Sequence, residues 1–191
     1  MRSLRSFSMP RGVFLKVSQS LAMGALALGA ASTATAQDPE EWFTLGGDFA
    51  HTRYSPADEI TAENFTDLEV AWEWDGASFR AISGRSTPSL IDGKLFTVAG
   101  NKRYVVAIDP KTGDTLWSYR EPDTPRGEYS MRADYGKGVG FARIDGRGVV
   151  YIASPGFFLT ALDADTGVPI EGFGKPVPID GFPKTGVVDM L

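Results

Sequence analysis

Two stretches of this chain repeat each other. "LIDGKLFTVAGNKRYVVAIDPKTG" and "RIDGRGVVYIASPGFFLTALDADTG" align almost without gaps, so that Ala107, Asp109, Thr112 and Gly113 recur 54 residues later as Ala161, Asp163, Thr166 and Gly167. The upstream pair Asp92-Gly93 recurs as Asp145-Gly146 after 53 residues, which leaves a single-residue indel between otherwise parallel copies. A chain that repeats at this interval must build two equivalent units and pack them side by side.

The content of each unit is strand. Short apolar runs at "LEVAWEW" (68–74), "TPSLI" (87–91), "KLFTVAG" (94–100), "RYVVAID" (103–109), "TLWSYR" (115–120), "GVGFARI" (138–144), "GVVYIAS" (148–154) and "FFLTALD" (157–163) are parted by turn residues. Those turn residues include Asp92-Gly93, Pro110-Lys111-Thr112-Gly113, Asp145-Gly146 and Asp165-Thr166-Gly167. Such spacing means an all-β fold. A strand-rich repeat slightly above the roughly 40–50 residues of a propeller blade points to a β-propeller with blades of four antiparallel strands. About two and a half blades can be counted over 68–191. In "VVAIDPKTGDTLW" the apolar residues end one strand, Asp109-Pro110 start a tight turn, and Gly113 supplies the left-handed residue that closes it. Trp117 then lies on the next strand, where its ring can dock on the neighbouring blade. The second copy places Glu171 at that position, followed by Gly172-Phe173-Gly174, and so must dock differently.

The two ends of the organisation differ from this middle. Residues 1–36 carry Arg2, Arg5, Arg11 and Lys16, no acids, the apolar run "LAMGALALGAA" and the small residues Ala34 and Ala36. That pattern predicts a cleaved export leader, with Gln37 as the first mature residue. The apolar run is too short to span a bilayer comfortably, and no second one follows. Residues 37–67 read as a polar lead-in with one helical turn near Thr61–Leu68. Without the leader, 15 Lys and Arg stand against 24 Asp and Glu, a net charge of −9. Nucleic-acid and anionic-membrane binding are disfavoured. Cysteine is absent, which removes disulfides, thiol nucleophiles, Cys-ligated metals and a lipoprotein anchor.

Several familiar chemistries are excluded by spacing. "DADTG" has Gly167 one place too early for a calcium loop and Gly174 where the closing Glu is needed. "GKGVG" lacks the spacing and the Ser/Thr of a phosphate loop. His51 is the only histidine, so this chain offers no partners for a His metal cluster or a Ser-His triad, and His51 is expected to be structural or at the surface. "NFT" at 64–66 is a glycosylation sequon only in a eukaryotic secretory route.

With these residues in view, the chain resembles the quinoprotein dehydrogenases, exported propellers that bind pyrroloquinoline quinone (PQQ). Ala107, Asp109, Thr112, Gly113 and Trp117 match every specified position of that family's tryptophan-docking motif, A-x-D-x-x-T-G-x-x-x-W. "GGDFAHTRYSP", "LEVAW", "TPSLIDGKLF" and "GKGVGF" resemble, in order, the opening third of alcohol- and glucose-oxidising members. The resemblance covers about residues 42–175. It implies an eight-bladed propeller with PQQ on its axis, near a calcium ion and an Asp base.

The resemblance also implies candidate cofactor-binding residues. Lys137 stands where many members have an Arg that binds the acidic cofactor; Lys keeps the charge but not the bidentate fork. Arg85 stands where many have a Glu near the quinone. Met131-Arg132 falls where alcohol-oxidising members often place a vicinal disulfide on the cofactor, and an Arg plane can stack on a flat ring and pair with its carboxylates. No catalytic base and no calcium ligand matches a family motif here. The expected function is that of the amino-terminal part of a periplasmic or secreted PQQ-dependent dehydrogenase, which oxidises an alcohol or sugar and passes electrons to an acceptor such as a cytochrome or quinone. The alternative is a non-catalytic propeller that serves as a binding scaffold.

Overall fold

The computed structural model describes residues 41–80, 86–132 and 138–191. The leader, Arg85 and Lys137 lie outside the described residues. Eight strands form two four-stranded antiparallel sheets in simple meander order. The first holds β1 (Ser89–Ile91), β2 (Lys94–Ala99), β3 (Tyr104–Ile108) and β4 (Thr115–Tyr119). The second holds β5 (Gly140–Ile144), β6 (Arg147–Ala153), β7 (Phe158–Asp163) and β8 (Val187–Asp189). Between them a single helical turn, α1 (Pro125–Glu128), carries the chain from one sheet to the next.

The repeated Asp-Gly pairs make the turns expected of them. Asp92 and Gly93 have φ of 49° and 68°, and Asp145 and Gly146 have 51° and 80°, the left-handed pair that matches the twist of a two-residue hairpin. The copies differ in the β2–β3 and β6–β7 hairpins, where the first encloses four residues and the second three. Ala99 pairs with Tyr104 across one, whereas the Ser154 amide donates to the Phe158 carbonyl at 2.9 Å across the other. An odd insertion inside a ladder would turn every following side chain to the wrong face. Here the second copy has a turn one residue shorter and a β6 arm two residues longer, and a two-residue change keeps the alternation.

The strands alternate as half-buried strands should. Val105 and Ala107 point from the first sheet into a core shared with Val150, Ile152 and Leu162 of the second. Val106 and Ile108 point the other way, onto Trp72, Trp74 and Phe79. A third cluster, Phe158, Phe182 and Val187, extends the same face of the second sheet, since Phe158 and Val187 lie on the side of Thr160 and Leu162. The first sheet is thus apolar on both faces, the condition for stacking blades.

One expectation needs correction, and one strand has no counterpart in the sequence reading. The run 68–74 is no strand: it is extended, but no described strand offers it a ladder. Leu68 and Val70 are 53% and 86% exposed, while Trp72 and Trp74 turn inward onto the first sheet. The run 68–74 is therefore an unpaired segment among the described residues. The helical turn expected near Thr61–Leu68 is a 3-10 turn at Phe65–Asp67, and the Asn64 side chain accepts from the Thr61 amide at 2.7 Å just before it, as half of a capping box does. β8 is not marked by any apolar run in the sequence. The outer strand of the second sheet is split: Pro169 bridges Leu162, the chain leaves at Glu171, and Val187–Asp189 return to pair with β7.

Candidate cofactor-binding face

The docking aromatic behaves as its motif requires. Trp117 Nε1 donates to the Ala164 carbonyl at 3.2 Å, across the gap between sheets. Its ring covers Gly167, where an added Cβ would fall 2.6 Å from ring carbon Cε3. Asp163 builds that turn by accepting from the Thr166 amide at 2.8 Å and the Thr166 hydroxyl at 2.7 Å. Burial pushes the Asp163 carboxyl up, but the bonds from Arg147 and Thr166 outweigh it and hold it below the usual Asp value.

Trp72 repeats the contact one unit upstream. Its Nε1 donates to the Pro110 carbonyl at 2.9 Å, and a Cβ on Gly113 would fall 2.8 Å from its ring. Pro110 and Ala164 hold equivalent places in the two copies. Sequence reasoning missed this role, because Trp72 has no complete motif before it. The signal was on the other side: a turn of the Gly113 kind needs a ring to cover it.

The connection after β4 joins the sheets and carries one of the predicted site residues. Thr124 caps α1, its hydroxyl accepting from the Gly127 amide at 3.0 Å, and Pro125 occupies the first helical position, the arrangement that such a start favours. Arg126 reaches the second sheet with a bidentate pair to Asp189, at 2.9 and 3.0 Å. Its guanidinium also lies 4.2 Å from the centroid of the Phe158 ring. Arg126 holds the Asp189 carboxyl below its usual value.

Glu121, at the start of this connection, is only 8% exposed. Its Oε1 accepts from the Gly156 amide at 3.3 Å, while Oε2 is buried with no hydrogen-bond partner. Burial raises its carboxyl above the usual Glu value, against the opposing pull of Ser154, Gly156, Arg126 and Arg103. A cavity of about 390 Å³ opens beside it, with Asn101 and Lys102 on one side and Asp123, Glu128 and Pro155 on others. Lys102 pairs with Asp123 at its rim, as does Arg120 at 3.0 Å.

Arg132 follows α1 and is exposed. Its amide donates to the Ser130 hydroxyl at 3.1 Å, and its guanidinium enters no ion pair with a described residue, Glu128 included. Its carbonyl accepts from Arg103 Nη2 at 2.8 Å. Neither Arg85 nor Lys137 is among the described residues. Just after the segments that carry them, however, Thr87 and Gly138 touch: a Cβ on Gly138 would lie 3.0 Å from the Thr87 carbonyl oxygen. Among the described residues no group of three or more His, Cys, Asp or Glu could hold a metal ion. No helix among them is long and apolar enough to cross a membrane.

Two stacked four-stranded sheets, each docked by a tryptophan on the turn of the next unit, define a β-propeller. The family model for the PQQ-linked glucose/ethanol/alcohol dehydrogenase β-propeller domain matches residues 42–188, and the chain belongs to that family. It is 34% identical to a quinohemoprotein alcohol dehydrogenase of Comamonas testosteroni over 158 residues, 79% of this chain and 21% of that protein. It is 33% identical to the dehydrogenase subunit of a quinone-linked alcohol dehydrogenase of Gluconobacter oxydans, over 76% of this chain and 20% of that one. Among solved structures, a europium-containing methanol dehydrogenase matches in fold with a TM-score of 0.55 and 21% identity, over 69% of this chain and 22% of the other. The chain spans about a fifth of the length of these relatives.

Proposed function

We propose that this chain contributes blades to an exported, PQQ-dependent dehydrogenase that oxidises a small alcohol or sugar and passes the electrons to a cytochrome or quinone. The observation that carries the reading is the family match over 42–188. The relatives add to it: one is a quinohemoprotein alcohol dehydrogenase and another a 1-butanol dehydrogenase (cytochrome c) of Thauera butanivorans, 34% identical over 75% of this chain and 21% of that protein.

The residues present fit an acidic, flat cofactor. Arg132 offers an exposed guanidinium that no described acid neutralises, and a buried donor beside it, Arg103 Nε, has no hydrogen-bond partner. In a chain otherwise rich in acids, such cations attract an anion. Lys137 and Arg85, outside the described residues, are proposed as further cofactor ligands. When bound, PQQ supplies a two-electron, two-proton acceptor for the alcohol. The protein's own part on this face is to hold the acidic groups and orient the ring. The described residues do not fit a calcium site, so no step is assigned to that ion here.

Residues 1–36 are proposed as the leader, 37–67 as the lead-in and 68–191 as the partial propeller. Export should leave Gln37 first, which the intact mass of the exported protein reads directly. Activity is tested by loading the whole apo-protein with PQQ and calcium and following dye reduction with an alcohol and an aldose. Turnover that requires PQQ is the expected result. PQQ-independent silence with both substrates would leave a non-catalytic scaffold.

A further inference from the structure

Arg103 is the most heavily committed side chain that neither the docking motif nor the cofactor resemblance accounts for. It ends the β2–β3 turn with φ of 53°, a conformation that costs a non-glycine residue about 1 kcal/mol or more. Its guanidinium spans two other parts of the molecule. Nη1 donates to the Ala153 carbonyl at 2.7 Å, at the end of β6, and Nη2 donates to the Arg132 carbonyl at 2.8 Å. One planar fork thus ties the first sheet, the second sheet and the segment after α1 together. Burial lowers its affinity for the proton, the nearby Arg132 cation lowers it further, and Glu121 opposes both. The two cations repel, and an anion bound between them would offset that.

Resting on the reading of Arg132 as a cofactor ligand, we propose that Arg103 is its positioning residue: by gripping the Arg132 carbonyl, it fixes where the Arg132 guanidinium is presented to the acidic cofactor. Lysine at 103 would keep the charge and lose the fork, since an ammonium is a point donor on a flexible stem. Residues that orient a ligand-binding side chain typically matter about 10-fold or more when removed.

The test is a double-mutant cycle in the whole protein, read by equilibrium PQQ titration of apo-protein and by thermal midpoint. The variants are Arg103→Lys, Arg132→Ala and the pair, with Arg103→Gln as a milder change that can still donate to one carbonyl. Arg103→Lys should weaken PQQ binding roughly 10-fold, and Arg103→Gln should do the same to a smaller extent. In the Arg132→Ala background, Arg103→Lys should change affinity by no more than about twofold, because the side chain it positions is gone. The inference is overturned if Arg132→Ala weakens binding while Arg103→Lys does not. It is equally overturned if Arg103→Lys costs the same in both backgrounds, which would make Arg103 a brace between sheets and nothing more. If Arg132→Ala itself leaves affinity unchanged, the cofactor reading of Arg132 fails, and the role of Arg103 fails with it.

Discussion

Glycine and tryptophan act here as one device. Gly167 takes φ of 70° to close its turn, and it also leaves room for the ring of Trp117 to lie on the backbone. Gly167→Ala therefore meets two obstacles, the left-handed backbone and the ring, and should destabilise the whole protein by more than the roughly 1 kcal/mol of the backbone effect alone. Trp117→Ala removes a half-buried ring and should cost about 3 kcal/mol. Since both changes attack the same contact, the double variant should be less destabilised than the two single losses added together. Chemical denaturation of the four proteins measures this, and simple additivity would show that the ring and the turn are independent. At Glu121 the expected effect is a pH dependence. Burial raises its folded-state value, so its contribution is full below the ordinary Glu value and is lost as pH rises through the raised one. Glu121→Gln should accordingly raise the thermal midpoint at pH 7 and have little effect near pH 4. A midpoint that falls at pH 7 would contradict this.

At the scale of elements, the hairpins were the most legible part of the sequence, because Asp-Gly and Thr-Gly pairs state a local backbone requirement that no tertiary contact has to supply. Seven of the apolar runs became strands within a few residues of the expected bounds. The eighth, at 68–74, shows what apolar pattern cannot convey. Trp72 and Trp74 face the first sheet as a strand's alternate residues would, yet a ladder needs a partner, and pattern says nothing about the partner. β8 was illegible for the opposite reason: its partner β7 creates it from a short run that follows a long excursion. α1 was missed because one turn, capped by Thr124 and begun by Pro125, is too short to show a period. The Arg126–Asp189 pair pins it to β8. Arg126→Ala should speed amide exchange over 125–132 relative to the sheets, and acid should do the same. Asp189 is held below its usual value, so the pairing is present above that value and is lost as pH falls through the lowered one. Unchanged exchange in the variant would mean that Thr124 and Glu121 hold the turn without it.

For the whole molecule, the repeat read at 54 residues gave the architecture, and the structure adds how units meet: Trp72 on Gly113, Trp117 on Gly167, each with its indole N–H on the equivalent carbonyl. The candidate site was less legible. Arg132 is a proposal drawn from resemblance, whereas Arg103 has no signal in the sequence, since nothing local marks an arginine that reaches across to Ala153 and Arg132. Glu121 was invisible for the same reason. Two blades also leave apolar surface that a ring would cover, such as the exposed Val70 beside Trp72. Residues 37–191 alone, supplied with PQQ and calcium, should therefore give no turnover above the cofactor blank and should tend to aggregate.

The central claim is that cations on this face hold an acidic quinone cofactor. Equilibrium titration of PQQ into the whole apo-protein and into its Lys137→Ala variant tests it most directly. A charged hydrogen bond lost from the site is worth about 1.5–3 kcal/mol, so the variant should bind roughly 10- to 150-fold more weakly at unchanged thermal stability. Equal affinity in the two proteins would contradict the account and leave Lys137 as a surface cation.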